Sequence, residues 1–495
     1  MYYICAQPAT FYYSWQIDAM LLSFERFGNV DLSKVHIVNA IQGKPSPHFK
    51  LVEKKWKLKG VLFEYYEDTR GSHSYISSIR PHILEKHWNK YPWLKEHAFL
   101  YHDSDIALTK PLPVDDKLNE DNVCYLSDTK SYVGAKYLDS KGHGILEQMC
   151  AIVGIPPQIV RNREEESGGA QYLIKPGITA DFWKKVYEDS ENLFRDITKR
   201  VKEIKANEPD WHEVQIWCAD MWAVLWNLWK SGYKTPCPDD FEFSWGTQPV
   251  EQWDKLAIFH NAGVVKEESG QPFYKGKYQL ETSPPINAPT PDTKWASYNY
   301  FNLIQDSWKS TKKGQCLIIG NGTSVLDYEL GEHIDSFDNI VRFNAYKIEG
   351  YEKHVGTKTD IWATCVPHKS HVSNIDSYKE VICHSWESDM EYCKIYRDLS
   401  KYRTDVWKIP AFVWRNLKKD FEVQDPSTGL LLINLMLDRY DEVWLYGFDW
   451  WDREEHHYSD KNPRGTLHKP DQELAYIKSL GNRVRFLEES HKETI

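Results

Sequence analysis

The stretch from Glu281 to Lys294, ETSPPINAPTPDTK, sets Pro284, Pro285, Pro289 and Pro291 among short polar residues. Neither a helix interior nor a central strand tolerates that many missing amide donors. A chain of 495 residues is also too long for one hydrophobic core. The prolines therefore predict a division: a first domain over 1–275, a proline-rich linker over 276–309 and a second domain over 310–495. Strand-like and helix-like segments alternate on both sides, as in α/β proteins.

Composition narrows the class. Hydrophobic residues at 41% and charged residues at 27% are ordinary for a soluble globular chain. Aromatics at 14%, with 21 Trp and 30 Tyr, are high, which suits a core and also surfaces that stack sugar rings or bases. A net charge of -11 excludes broad electrostatic capture of nucleic acid, though a local basic groove stays open. The clustered basic runs are KKWKLKG (54–60) and RDITKRVKEIK (195–205), and both read as solvated helix or loop faces. The first twenty residues show no basic n-region or cleavage site, and no window reaches the roughly eighteen apolar residues of a membrane helix. Nine cysteines without a CxxC pair suit a reducing compartment. Together these features predict a cytoplasmic protein.

In the first half, FLYHDSDIALTKPL runs from a hydrophobic strand into Asp103 and Asp105. Alternation along a strand puts both carboxylates on one face. Their repulsion calls for a divalent cation between them, or for a solvated turn. Gly168-Gly169 in ESGGAQYLIK stands just before a strand, where backbone can approach a ligand closely. In KLAIFHNAGVV, His260 ends a strand and either completes an Asp/Asp/His metal set or serves structurally. Glu213 and Asp220 in DWHEVQIWCADMW, seven apart, share one face of an expected helix.

These features together resemble the GT-A class of nucleotide-sugar glycosyltransferases over about 260 residues. The resemblance implies Mn2+ or Mg2+ in this domain only, held by Asp103, Asp105 and His260. It also implies a nucleotide-diphosphate sugar, such as a UDP-sugar, beside Asp103, Gly168 and Gly169. Asp220, slightly ahead of Glu213, would be the acidic residue facing the acceptor.

The second half opens with CLIIGNGTSV, a strand running into Gly320-Asn321-Gly322, whose backbone N–H groups could hold a phosphate. Asn344 follows the next strand and could bind a base or ribose, or cap a turn. Ser427-Thr428-Gly429 begins a helix and is both an ordinary N-cap and an anion site. Cys316 to Trp362 resembles the large sialyl motif of eukaryotic-type sialyltransferases. PSTGLLLINLMLDRYDEVWLYGFDWW resembles their small motif, HHYSD the third, and HKPDQE the very small motif. The resemblance implies a single Rossmann-like, GT-B-variant domain that needs no metal. Asn321, Gly322 and Asn344 would bind the CMP part of the donor, and Ser427, Thr428 and Gly429 its carboxylate or phosphate. His457 would bond the departing phosphate, His468 would be the general base, and Glu473 would support the donor side of that loop. The family joins a Cys in the large motif to one in the small; here Cys316 is present but Tyr440 stands at the second place, so no disulfide is expected.

The whole reads as an α/β protein of two Rossmann-like glycosyltransferase domains using UDP-sugar and CMP-sugar donors. A cytoplasmic glycan, glycolipid or other glycoconjugate would be the acceptor, in a bacterial, phage or virus-infected setting. Two alternatives stand beside this: transfer to hydroxymethylated bases of phage or viral DNA, and an inactive domain kept as a glycan-binding module. Oligomeric state and sugar identity are not legible.

Overall fold

A computed structural model describes residues 1–264, 271–279, 285, 290–309, 314–384, 394–403, 406–409, 413–414, 417–418, 426–450, 452–453, 455–463 and 468–494. It separates into two compact units. The first comprises Met1–Lys277 with Asn287–Ser307, the second Tyr278–Ile286 with Trp308–Ile495. The segment 276–309, expected as a linker, contains the helix Ala296–Lys309, which begins only after the last proline and belongs for most of its length to the first unit.

The main sheet of the first unit contains β1 (Tyr2–Pro8), β2 (Val35–Ile41), β3 (Leu62–Glu67), β4 (Phe99–His102), β6 (Tyr125–Asp128) and β7 (Gly168–Ile174). Its order is β3-β2-β1-β4-β7-β6. The first four strands are mutually parallel, and β7 runs antiparallel to β4 and β6. A smaller sheet orders β5 (Ile106–Leu108), β9 (Ile258–His260) and β8 (Phe243–Trp245). Strand β4 is buried at every residue because helices cover both faces, so it reads as a continuous apolar run.

The aromatic excess is largely core. Trp15, Trp56, Trp88, Trp183, Trp222 and Trp226 are all fully buried in this unit. Trp88 packs edge-on against Phe99 and Trp183, and its indole donates to the Ile178 carbonyl at 2.9 Å. The helix expected around Glu213 and Asp220 starts later, at Ala219. Glu213 therefore lies in the preceding loop, half exposed and paired with Lys205, and does not share a helix face with Asp220.

The second unit has seven strands, β10 (Gln315–Ile319), β11 (Ile340–Phe343), β12 (Ile361–Thr364), β13 (Glu380–Cys383), β14 (Val406–Lys408), β15 (Glu442–Tyr446) and β18 (Val484–Phe486). They form one wholly parallel sheet in the order β14-β13-β12-β11-β10-β15-β18. A hairpin of β16 (Glu455–His457) and β17 (Asp460–Pro463) stands apart. Cys316, on β10, is a free, buried thiol.

Strand order reverses between β1 and β4 in the first unit and between β10 and β15 in the second. Open α/β sheets bind ligands beyond the carboxyl ends of strands at such switch points. At the second switch point two chain turns pass very close. A Cβ on Gly320 would run into the Gly447 carbonyl, and Gly447 itself has φ +72°. Gly320→Ala should therefore lower the stability of the second unit by about 2 kcal/mol, since backbone cannot give way as a side chain can. Urea unfolding checks this, and a change within about 0.5 kcal/mol would contradict the tight crossing.

Candidate active sites

In the first unit a cavity of about 610 Å³ opens at the β1/β4 switch point, lined by Gln7 and Pro8 at the end of β1 and by Asp103, Ser104 and Asp105 after β4. Antiparallel pairing of β5 with β9 sets His260 opposite Ile106, next to Asp105. His260 Nε2 lies 3.6 Å from Asp103 Oδ2 and 3.4 Å from Asp105 Oδ1. One potential ligand atom from each of the three lies within 4.8 Å of the others. Gln171 on β7 stands 3.3 Å from His260 Nδ1 and orients the ring. Two carboxylates and an imidazole suit Mn2+ or Mg2+ alongside phosphate oxygens.

Two basic side chains that the sequence did not single out complete the site. Arg80, on the helix Ile79–Lys90, bonds Asp103 through Nη1 and Asp220 through Nη2. Lys275 is ion-paired to Asp105 Oδ2. Burial works against the Asp105 charge, but Lys275 and His260 outweigh it and hold the carboxyl well below its usual range. Burial likewise opposes the Arg80 charge, and Asp103 and Asp220 overcome it. Asp220 is buried at the head of its helix, with its other oxygen accepting from Tyr75 Oη at 2.7 Å. Asp220 thus joins the Asp103 network through Arg80.

Gly168 and Gly169 are placed differently from the expectation. They are the first residues of β7 instead of preceding it, paired with Asp128 and Ser127. A Cβ on Gly168 would lie 2.6 Å from Leu126 Cβ and 2.7 Å from the Ser127 carbonyl, and one on Gly169 would strike Met221. Neither lines the cavity. At Gly168, where backbone stands in the way, the need for glycine is a packing need.

In the second unit a cavity of about 720 Å³ sits at the β10/β15 switch point. Asn321, Gly322, Asn344, Ser427, Thr428, Gly429, His457, His468 and Glu473 all line it, although they come from four separate stretches of chain. Their local bonding refines several expectations. The Gly320 and Gly322 amides are taken by the Tyr446 and Gly447 carbonyls at 2.7 and 3.0 Å. The Ser324 amide donates to Asp449 at 3.1 Å, so the glycine turn holds a carboxylate of this chain where a phosphate was expected. Asn344 has φ +55°, and its Oδ1 accepts from the Cys365 amide at 3.3 Å, which is turn chemistry. Asn321 donates to the Phe343 carbonyl at 3.2 Å.

Glu473 is buried and grips Ser427 at two points, amide to Oε1 and hydroxyl to Oε2, both at 2.7 Å. It braces the start of the helix Thr428–Arg439, while Ser427 Oγ caps the Leu430 amide. Burial pushes the Glu473 carboxyl up. Its contacts are those of a support for the N-cap at the edge of the cavity that it lines.

Residues missed in the sequence include Asp449, His384 and the rings of Phe343, Phe448 and Trp450. Phe448 lies 6.0 Å from Phe343 and 5.6 Å from Trp450, centroid to centroid. A Cβ on Gly429 would meet Phe448 at 2.9 Å, which explains the glycine in that motif. His384 Nε2 is 2.8 Å from Thr428 Oγ1, and burial with the nearby His468 pushes its pKa down to about 4. The GFDWW run after β15 carried a signal for the rings; nothing local marked Arg80 or His384.

The His384 shift has a consequence. Its folded value of about 4 lies below the ordinary 6.5, so the unfolded chain takes up the proton first. Its stability contribution is complete above about pH 6.5 and is lost, up to about 3 kcal/mol, as pH falls toward 4. His384→Gln should flatten the acid side of the unfolding free energy in that window; an unaltered slope would contradict a neutral, buried ring.

Residues 293–404 match the model of Glycosyltransferase family 29 (sialyltransferase), a span that contains the first of the four motifs. A CMP-N-acetylneuraminate-beta-galactosamide-alpha-2,3-sialyltransferase 4 of Mus musculus is 27% identical over 215 residues, 36% of this chain. The chain spans 64% of that relative's length. Among solved structures, a mammalian sialyltransferase in complex with Gal-beta-1-3GalNAc-ortho-nitrophenol aligns at 23% identity, covering 36% of this chain and 71% of its own, with a TM-score of 0.28. The galactosyltransferase LgtC in complex with donor and acceptor sugar analogs aligns at 13% identity, covering 62% and 99%, with a TM-score of 0.30. At such TM-scores neither structure bears on activity. Residues 293–404 are similar to the family 29 sialyltransferases, and the first unit has a different α/β sheet with its own carboxylate-lined cavity.

Proposed function

We propose that the chain is a two-domain glycosyltransferase: the second unit transfers a sugar from a CMP-sugar, and the first transfers one from a nucleotide-diphosphate sugar with a divalent cation. The observation that carries this reading is the convergence of His457, His468, Asn321 and the Ser427 N-cap, from distant stretches of chain, on one cavity.

In the second unit His468 takes the proton of an acceptor hydroxyl. The acceptor oxygen then bonds the anomeric carbon as the carbon–oxygen bond to phosphate breaks, and CMP departs with the electron pair. His457, 3.2 Å from Asp460, donates to the departing phosphate. An imidazole can accept a proton at one ring nitrogen and donate from the other, which suits both tasks. Asp449 already fills the glycine turn, so the phosphate is received by the two imidazoles and the start of the Thr428–Arg439 helix. Phe343, Phe448 and Trp450 offer ring faces to the base.

In the first unit Asp103, Asp105 and His260 would hold Mn2+ or Mg2+. When bound, the cation supplies charge neutralisation at the diphosphate leaving group. Asp220, buried with its two oxygens taken by Tyr75 and Arg80, would act on an acceptor only through Arg80, which lines the cavity.

A glycan or glycolipid acceptor is favoured over a DNA base. The 54–60 basic run is matched by acids, with Lys55 on Asp18 at 2.7 Å, Lys57 on Glu53 at 2.5 Å and Lys59 on Glu25 at 2.6 Å. Among the described residues no helix is long and apolar enough to cross a membrane.

A donor screen that reads nucleotide released tests the proposal. CMP-sugar turnover should persist in EDTA and fall about 10²-fold or more in His468→Ala, with UDP-sugar turnover untouched. UDP-sugar turnover should vanish in EDTA and in Asp105→Asn. A full CMP-sugar rate in His468→Ala would remove that residue as base, and release of neither nucleotide from any donor would sink the proposal.

A further inference from the structure

The two carboxylates lining the first cavity, Asp103 and Asp105, and Asp220 behind Arg80 are each already paired with a cation of the chain itself. Lys275 holds Asp105 Oδ2, while Arg80 divides its fork between Asp103 Oδ1 and Asp220 Oδ2. The oxygens left over, Asp103 Oδ2 and Asp105 Oδ1, are the ones facing His260. Three buried or half-buried carboxylates are met by two permanent cations, so the arrangement is electrostatically supported without a metal ion. Removing that support without replacement would leave buried charge uncompensated, which is strongly unfavourable.

The two cations are not equivalent. Arg80 is fixed by two partners on different elements, the end of β4 and the helix Ala219–Lys230. Its planar fork suits a fixed bridge. Lys275 makes its ion pair from outside the sheet, through a single ammonium on a flexible stem, with a side chain 27% exposed toward the cavity it lines. A divalent cation bound by Asp103, Asp105 and His260 would face the Lys275 ammonium across the same carboxylate. Like charges that close repel, so ammonium and cation compete for Asp105. A diphosphate brings negative charge that both can share.

We propose that Lys275 is an exchangeable counter-ion. Its ammonium neutralises Asp105 while the divalent cation is out, and transfers to the oxygens of a nucleoside diphosphate when cation and nucleotide are in. Arg80 remains the fixed strut between Asp103 and Asp220. Cation and nucleotide are then positively coupled through one side chain, each easing the binding of the other. The inference rests on the metal-dependent reading of this cavity.

The test uses binding, with the full chain, Mn2+ alone and UDP as probes. Free Mn2+ is followed by electron paramagnetic resonance, and UDP at saturating Mn2+ by calorimetry. Lys275→Met should tighten bare Mn2+ binding about tenfold and weaken UDP binding about tenfold, because a competitor for one ligand is a partner of the other. General damage to the fold would weaken both. Lys275→Arg, which keeps the charge, should stay near wild type in both assays. If Lys275→Met binds bare Mn2+ no more tightly than wild type, the exchange is overturned; if Asp105→Asn abolishes that Mn2+ binding, the metal reading survives it. If neither wild type nor Lys275→Met binds Mn2+, both the exchange and the metal reading are overturned.

Discussion

Two carboxylates two residues apart at the end of a buried strand cannot both stay ionised without positive charge close by, and this constraint organises the first unit. Strand β4 is wholly buried, and Asp105 follows it into the interior. The chain answers from four directions: His260 from β9, Arg80 from the helix Ile79–Lys90, Lys275 from the segment after β9, and Gln171 to fix the imidazole. Each comes from an element that the sheet topology brings to the β1/β4 switch point. The site is thus a product of topology, and its electrostatics explain why Arg80 and Lys275 stand where they do.

The second unit solves a different problem. None of the described residues lining its cavity is Lys or Arg. Two of the carboxylates lining it brace the chain, Asp449 taking the Ser324 amide and Glu473 the Ser427 amide and hydroxyl, and behind them Glu488 takes the Gly447 amide at 3.0 Å. These bonds fix two tight turns and a helix start around the cavity, and leave imidazoles as the groups able to meet an anionic donor. A metal-free transfer needs donors of this kind, placed in advance of the reaction.

Much of this was legible in the sequence, and the boundary of legibility has a physical cause. β10 and β11 are largely apolar runs that end in turn residues, Gly320-Asn321-Gly322 and Asn344, and so are legible as strands. Spacing and chain order single out Asp103, Asp105 and His260, which the fold brings together, and Asn321, His457 and His468, which line one cavity. Strand β1 lies inside the sheet although Tyr2–Pro8 mixes polar residues and a proline into its apolar run and so carries a weak strand signal. Gly168 and Gly169 read in sequence as ligand approaches, but neither lines the cavity: Gly168 sits against the neighbouring strand and Gly169 under Met221 of the helix Ala219–Lys230, which sequence spacing cannot distinguish. Arg80 and Lys275 lie 195 residues apart and meet only through tertiary structure, so no local pattern marks them. The same is true of His384 beside Thr428.

The account's central claim is that one chain carries two separate nucleotide sites with different electrostatic logic. Calorimetric titration of the intact chain with CMP and with UDP plus Mn2+ tests it most directly. The account predicts two independent sites of unit stoichiometry, with CMP binding indifferent to EDTA, to UDP and to Asp105→Asn, and UDP binding lost in EDTA and in Asp105→Asn. Mutual displacement of CMP and UDP from a single site, or CMP binding that requires the metal, would contradict it.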